Sequence, residues 1–401
     1  MQESGIVPLR VGFVRELLRG VAPTDPDFQR FADTIETAEP TVNANLFSRR
    51  GAGNVDVQGF HPAAEDNSFA VSYQLQKGLV DGSGDPDDAV ADAFMRRASD
   101  NGLRNSHTIV TRQHQSEGGA IAGGGVRTYT VVLGGVPSTG GIAGEPSSGK
   151  PIVVSMAYMA EKIREYKISQ PVGGATVDVE SASAADTTQS VTIESEDAAA
   201  SETVSLNGVT PVVGVTSFSD IDSISLDADC VGDVIVKIGG TEIFRILGRT
   251  SLDSAEGDLG IPPLGAGSWE AALDLPFETI LDDTFMFGGA ALARDVMALA
   301  FAVTNNLEAT ARIGTRRKRI SEGVRDLTAT ATVYGPTQTY ADTLDHLQHT
   351  EGDLLWTMQG TILTLTGAVL TGLGSKPIQA GAATMQRDNT FTGKSITLTD
   401  V

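Results

Sequence analysis

Five groups of residues in this chain have types and spacings that can do chemistry. GEPSSGKP, from Gly144 to Pro151, has the glycine spacing of a loop that cradles phosphate on backbone N–H groups, up to its last position. There Pro151 stands where a Ser or Thr hydroxyl would hold magnesium, and the IVVSM beyond it reads as strand where a helix must begin, so the segment reads as an ordinary turn. His346 and His349 stand three apart, with Asp342 a turn earlier, which puts three ligand types on one helix face. A catalytic Glu inside the pair and a further ligand are both lacking, which favours a solvated face. Asp220, Asp222, Asp227, Asp229 and Asp233 can gather calcium by charge, yet they lack the glycine and closing glutamate of a calcium loop and read as surface carboxylates. His61, His107 and His114 have no Ser or Cys at a nucleophile's spacing. Cys230 is the only cysteine, so neither a disulfide nor a cysteine-ligated metal cluster can form within one chain. These residues predict no catalysis, no metal and no cofactor.

The fifth group is basic. TRRKR, from Thr315 to Arg319 and flanked by Arg312 and Arg325, is the one strongly cationic element. A nucleic-acid patch would join such a run to aromatics that stack on bases, and none is near. Arg49 and Arg50 form a shorter counterpart earlier in the chain. In an acidic protein these loops read as contacts with the carboxylates of another subunit.

The elements that would position these groups are strands. SHTIVTRQHQ and VRTYTVVL are predicted to pair as a hairpin across a glycine-rich linker, and IVVSMAYMAEKIREYKI to return as a strand ending in helical turns. Helical spacing of Ala89, Ala93 and Phe94 predicts a helix over 85–98, and TYADTLDHLQH predicts another over 339–349. GTILTLTGAVLTGLG, 15 residues from Gly360, is rich in Thr and Gly and suits a strand pair better than a membrane span of roughly 20 residues. Arg10, Arg15, Glu16 and Arg19 interrupt the first twenty residues, which therefore do not read as a secretion signal.

The net charge of -22 comes from 51 acidic and 29 basic residues. In molar salt the Debye length shrinks to about 3 Å, so carboxylates that repel one another in dilute buffer become tolerable, and the balance resembles that of proteins from salt-saturated cytoplasm. It also argues against a free nucleic-acid binder. Between residues 170 and 247 the texture changes to short alternating runs such as TVDVES and QSVTIES, with 13 acidic residues against Lys237 and Arg245. That block reads as an outward-facing, immunoglobulin-like β-sandwich.

The two ends of the chain repeat one another. NANLFSRRG, then Gly59, then FAVSYQLQ, then a helix recurs as NNLEATARIG, Gly323, DLTATATVYG and a second helix. Asn45-Leu46 matches Asn306-Leu307 and Tyr73 matches Tyr334, both 261 residues on, while the glycines are 264 apart. A chain carrying one small β-rich unit twice can build a ring with half the usual number of subunits.

The second half, with FAVTNNLEATARIG, the basic loop, EGVRDLTATATVYG and a short helix, resembles the major tail tube proteins of long-tailed double-stranded DNA viruses. The resemblance covers most of residues 296–401, and a weaker form covers about 31–168. It implies a mainly β fold: two tail-tube-like barrel or sandwich units with a short helix each (1–169 and 248–401) and an inserted immunoglobulin-like sandwich (170–247). It implies a structural virion protein and not an enzyme, made in the host cytoplasm and resident in the tail. The rings would stack into a tube that conducts DNA without sequence-specific binding, in contact with other tail proteins. Three chains would form a pseudo-sixfold ring; six would be needed if the first copy is not a full unit. The composition adds a halophilic archaeal host. Asn45, Leu46, Arg49, Arg50, Asn306, Leu307, Arg312, Arg316, Arg317, Lys318 and Arg319 are the expected subunit or ring contacts. A capsid-decorating or surface-layer protein of a halophile is the alternative, and a metal enzyme built on His346 and His349 a weaker third.

Overall fold

A computed structural model describes residues 10–23, 28–31, 35–43, 46–49, 59–62, 65–75, 105–115, 124–145, 149–252, 256–264, 284–291, 296–311, 318–334, 348–358, 361–374 and 386–400. The protein is mainly β, with antiparallel sheets throughout. The first unit contains β1 (Arg10–Arg15), β2 (Gln29–Arg30), β3 (Ile35–Asn43), β4 (Leu46–Arg49), β5 (Gly59–Pro62), β6 (Asp66–Gln74), β7 (His107–Gln115), β8 (Val126–Gly144), β9 (Val153–Ala160) and β10 (Lys162–Ser169). The middle block contains β11 (Asp178–Ser181), β12 (Ser190–Glu194), β13 (Ser201–Ser205), β14 (Val212–Val213), β15 (Ser223–Leu226), β16 (Val234–Ile238), β17 (Thr241–Ile246) and β18 (Gly260–Ile261). The second unit contains β19 (Thr284–Phe287), β20 (Ala290–Ala291), β21 (Val296–Thr304), β22 (Glu308–Ala311), β23 (Lys318–Ser321), β24 (Asp326–Tyr334), β25 (Glu351–Met358), β26 (Thr361–Leu373), β27 (Gln386–Thr392) and β28 (Ser395–Asp400).

Each strand of the first unit has a twin in the second, in the same order and with the same partners. β3 and β21 are both nine residues long, as are β6 and β24. They pair in the same register: Ile35 faces Tyr73 and Thr37 faces Ser72 across a bulge, as Val296 faces Val333 and Ala298 faces Thr332. The four-residue hairpins β4–β5 and β22–β23 follow. The later strands match at a shift of 233: Val136 faces Met159 as Val369 faces Thr392, and Leu133 faces Lys162 as Thr366 faces Ser395. Even a bulge bond recurs, Ser138 Oγ donating to Ala157 O at 3.0 Å and Thr371 Oγ1 to Thr390 O at 3.2 Å. The register corrects three matches read from the sequence. Leu46, which opens β4, is the twin of Glu308, which opens β22, and not of Leu307. Tyr73 is the twin of Val333, one residue before Tyr334, and Gly59, which opens β5, is the twin of Lys318 and not of Gly323.

In each unit the long eighth strand serves two sheets. The first half of β8 lies between β7 and β10, and its second half lies beside β9; β26 does the same with β25, β28 and β27. Gly134 (φ +65) and its twin Gly367 (φ +59) sit where each strand changes sheets, in a left-handed conformation that side chains rarely adopt. A carboxylate accepts each glycine's N–H: Glu16 at 2.8 Å for Gly134 and Asp353 at 2.9 Å for Gly367. The expected strand pair from Gly360 is thus one bent strand, and the segment from Val153 is two strands, with helical turns absent because Val154, Met156, Tyr158 and then Ile163 alternate into the core. The predicted helix over 85–98 lies outside the described residues, as does most of that over 339–349.

Between the two sheets of each unit lies one core, continuous from unit to unit. In the first unit Phe13, Phe31, Tyr73, His107 and Tyr158 pack ring on ring, with Phe13 and Phe31 4.6 Å apart; Phe287 and Phe391 meet at 5.2 Å in the second.

The middle block is a sandwich of two four-stranded sheets, ordered β14-β11-β16-β17 and β13-β12-β15-β18. It includes β18, so it runs past residue 247. It stands between the two units in sequence and packs on the first through Tyr129, Val131, Leu133, Tyr166 and Ile168. The first half of β8 is consequently buried on both faces, which accounts for the consecutive apolar residues Val131, Val132 and Leu133.

Candidate assembly interface

The two units join edge to edge. The second half of β8, the last strand of the first unit's long sheet, pairs with β21, the first strand of the second unit's, from Thr139 opposite Thr304 to Gly144 opposite Leu299. The result is one continuous eight-stranded sheet, β3-β6-β9-β8-β21-β24-β27-β26. Gly140, Gly141 and Gly144 present little side chain at the seam, and Leu299, Phe301 and Val303 beneath it are buried. Asn305 seals its end: its backbone N–H donates to Ser138 O at 2.8 Å and its Nδ2 to Pro137 O at 2.7 Å.

One face of this sheet closes the core, and strand alternation sends every second residue to the other face. That open face carries Ser68, Ala70 and Ser72 on β6, Ala300 and Ala302 on β21, Thr328, Thr330 and Thr332 on β24, and Thr390 and Thr392 on β27. The charges its strands send there are carboxylates, among them Glu39, Asp66, Asp326 and Asp388; the cations met by it among the described residues come from outside those strands, Lys318 of β23 at Asp66 and Lys150 beside Ala300, Thr330 and Thr332. The surface is small, neutral to acidic, and chemically uneventful.

The expected contact residues divide. Asn45, Arg50, Arg312, Arg316 and Arg317 lie outside the described residues. Leu46 and Arg49 are backbone members of β4. Asn306 holds a turn within its own unit: at φ +45 its Nδ2 donates to Val324 O at 2.6 Å and Asp326 Oδ2 at 2.8 Å, with Leu307 beside it. Arg319 is exposed on β23. Lys318 pairs with Asp66, so the carboxylate that the basic loop reaches in the described structure belongs to the other unit of the same chain. Arg19 approaches the same hairpin, donating to Ile320 O at 2.7 Å and standing 3.8 Å from Glu322.

Of the residues weighed for catalysis or metal binding, Asp342 and His346 lie outside the described residues, and His61 and His114 are placed only as backbone members of β5 and β7. Gly149 and Lys150 lie in the exposed β8–β9 connection, where Lys150 pairs with Glu145 at 2.6 Å. His107 is in the core, and His349 is exposed at φ +51. Burial, with the charges of Asp186, Asp227 and Asp229, pushes the Cys230 thiol up to about 12, so it stays protonated. No group of His, Cys, Asp and Glu among the described residues is arranged to hold a metal.

The acidic run is not merely surface charge. Buried Asp222 accepts from Arg112 at 2.8 Å, Arg127 at 2.8 Å and Tyr129 at 2.6 Å, docking the sandwich on the first unit. Both arginines also meet Glu196, at 3.1 and 2.7 Å. Burial and the Asp222 charge raise the Tyr129 phenol well above its usual range, keeping it a donor. Lys162 and Tyr166 clasp buried Asp258 similarly, at 2.8 and 2.6 Å. The sequence signal that was missed is the presence of Arg112, Arg127 and Lys162 in strands otherwise bound for the interior.

No family model matches the chain, and no curated protein is detectably similar to it. No helix among the described residues is long and apolar enough to cross a membrane.

Proposed function

We propose that this protein is a structural subunit of a viral tail tube, in which three chains close a pseudo-sixfold ring and stacked rings enclose a duct for double-stranded DNA. The observation that carries the reading is the continuous sheet made from two copies of one unit, with an open face of small, neutral and acidic residues. A duct must let DNA slide. Each cation on its wall would pair with phosphate and release a counterion, gripping the duplex, whereas Ser, Thr, Ala and carboxylates offer phosphate no positive charge. The -22 charge supports a salt-rich host, where such crowding of carboxylates is screened.

Electron microscopy of the purified protein in molar salt tests the reading. Hollow tubes with threefold-related chains are expected. Compact monomers at every salt and protein concentration would overturn it, and flat lattices would favour the surface-layer alternative.

A further inference from the structure

The hairpin that opens the first unit is longer than its twin. In the second unit β19 returns to β20 through Gly288 and Gly289 alone, with Phe287 facing Ala290. In the first, Phe13 is the twin of Phe287, since it faces Ile109 of β7 as Phe287 faces Leu354 of β25. Phe13 faces Gln29, and residues 14–28 lie between them. The described part of that insertion is braced at several points. The buried carboxylate of Glu16 accepts from the Gly20 N–H at 2.8 Å, from Thr108 Oγ1 at 2.9 Å and from the Gly134 N–H at 2.8 Å. Arg19 ties the turn to the second unit, donating to Ile320 O of β23 and standing near Glu322. What this bracing holds out to water is apolar: Leu17 is fully exposed, Leu18 is 68% exposed and Val21 45%. Exposed leucines scattered singly are ordinary, but three apolar side chains on one fixed turn make a preorganised contact surface.

We infer that this turn is the contact between stacked rings, seating in a groove at the opposite end of the β8–β21 seam in a second copy of the chain. The turn stands at the end of the seam where Thr139 faces Thr304. There Glu16 holds Gly134, at which β8 changes sheets, and the β22–β23 hairpin that Arg19 grips leaves the sheet after Asn305, whose N–H donates to Ser138 O. At the other end, where Gly144 faces Leu299, the β8–β9 connection and the open face enclose a groove of about 340 Å³. Ala143, Pro151, Val153, Ala298, Leu299 and Ala300 give it apolar walls, and Glu145 and Lys150 line it as well. Each chain therefore carries an apolar knob and an apolar groove over the same central strands, at opposite ends of them. A contact between unlike ends of identical chains is heterologous, and when the displacement runs along the strands it repeats without closing, which stacks one ring on the next. Both features lie away from β3 and β26, the lateral limits of the long sheet, so the contact leaves the joint between chains within a ring free.

This inference rests on the stacked rings proposed above and adds the residues that join them. Leu17→Asp/Leu18→Asp is expected to melt within a few degrees of the wild type, because both side chains already face water, and to sediment as single rings, with tubes lost from electron micrographs. Ala300→Trp, which fills the groove from the open face, should give the same loss. Cysteine cross-linking reads the pairing directly. Tubes of Leu17→Cys/Ala298→Cys treated with a short bis-maleimide are expected to give a denaturing-gel ladder that runs past three chains. Leu17→Cys alone should stay unlinked, since Cys230 is buried. Normal tubes from the double Asp variant would overturn the contact and leave the turn to a different protein. Cross-linking through Leu17→Cys alone would overturn it too, because like ends would then meet. Wild-type protein that forms neither rings nor tubes would end the ring reading and this contact with it, whereas wild-type tubes beside unaltered variants end the contact alone.

Discussion

Three donors from the first unit converge on Asp222, and removing it takes the buried acceptor from Tyr129 and from both arginines, which keep the less buried Glu196. Asp222→Ala is expected to cost about 3–5 kcal/mol, measured by urea denaturation. Asp222→Asn should cost less, because its amide oxygen still accepts. Nothing local in the sequence predicts this role: Asp222 sits in a run of aspartates that charge alone explains as surface, and its partners lie 95 and 110 residues away. Gly134 is a second such residue. A Cβ there would stand 2.7 Å from Glu161 Cγ on a backbone at φ +65. At Gly367 the nearest atom is Lys394 Cδ, at 2.8 Å, toward the end of a flexible side chain. Gly134→Ala should therefore lower stability by about 1–3 kcal/mol, more than Gly367→Ala does, with paired thermal melts as the comparison.

Among the elements, the strands were legible and the repeat partly so. The β7–β8 hairpin and the sandwich strands announce themselves by alternation, because one face of each meets a core. The repeat showed only through Asn-Leu and a few neighbours, since the twins conserve which residues are buried rather than what they are: Phe69 and Val71 become Ala329 and Ala331. Loops of unequal length then change the spacing from one strand pair to the next, which is why matching by residue identity misplaced Tyr73 and Gly59. The seam was not legible at all, because its glycines lie in a stretch that reads as loop. The sandwich has its own signature in acid. Burial alone would raise Asp186, but the Ser181 hydroxyl and the N–H groups of Val231 and Gly232 outweigh it and hold the carboxyl below its usual value. Asp233 is likewise lowered, burial being outweighed by Ser251, the Gly248 N–H and Arg245. A carboxyl depressed by folding contributes stability in full above its unfolded pKa of about 3.9, and loses it as pH falls through the folded value. The sandwich should hold its melting temperature from pH 7 to about 5 and lose it below about 4. Asp186→Asn should flatten that acid limb, followed by calorimetry.

For the whole molecule, the docking of the sandwich decides what its loss should do. Deleting residues 170–264 leaves the long sheet untouched, so rings should still form. It also bares Tyr129, Val131, Tyr166 and Ile168, so the rings should clump, as light scattering and micrographs would record. Soluble deleted protein that cannot form rings would move the sandwich to the assembly contact. Salt acts on the assembled chains in two directions. Dilution strengthens local pairs of the kind Lys318 makes with Asp66, but it also unscreens 22 excess negative charges per chain, and the second effect is the larger. Tubes are expected to loosen in dilute buffer and Arg316→Glu/Arg317→Glu tubes to be weaker even in high salt, read by sedimentation across a salt series. Unchanged assembly of the double variant at every concentration would return that loop to a solvated surface.

The sandwich covers the outer sheet of the first unit, whereas the matching residues of the second, such as Ile362, Thr364 and Thr357, remain partly exposed. In the proposed ring of three chains the circumference would therefore be alternately dressed and bare. Any other protein that grips such a ring meets two different sets of handles, each repeated three times. One partner can hold the sandwiches while another holds the bare sheets, both at a ratio of one to each chain and without competing. A ring of identical single units has no means of offering that choice.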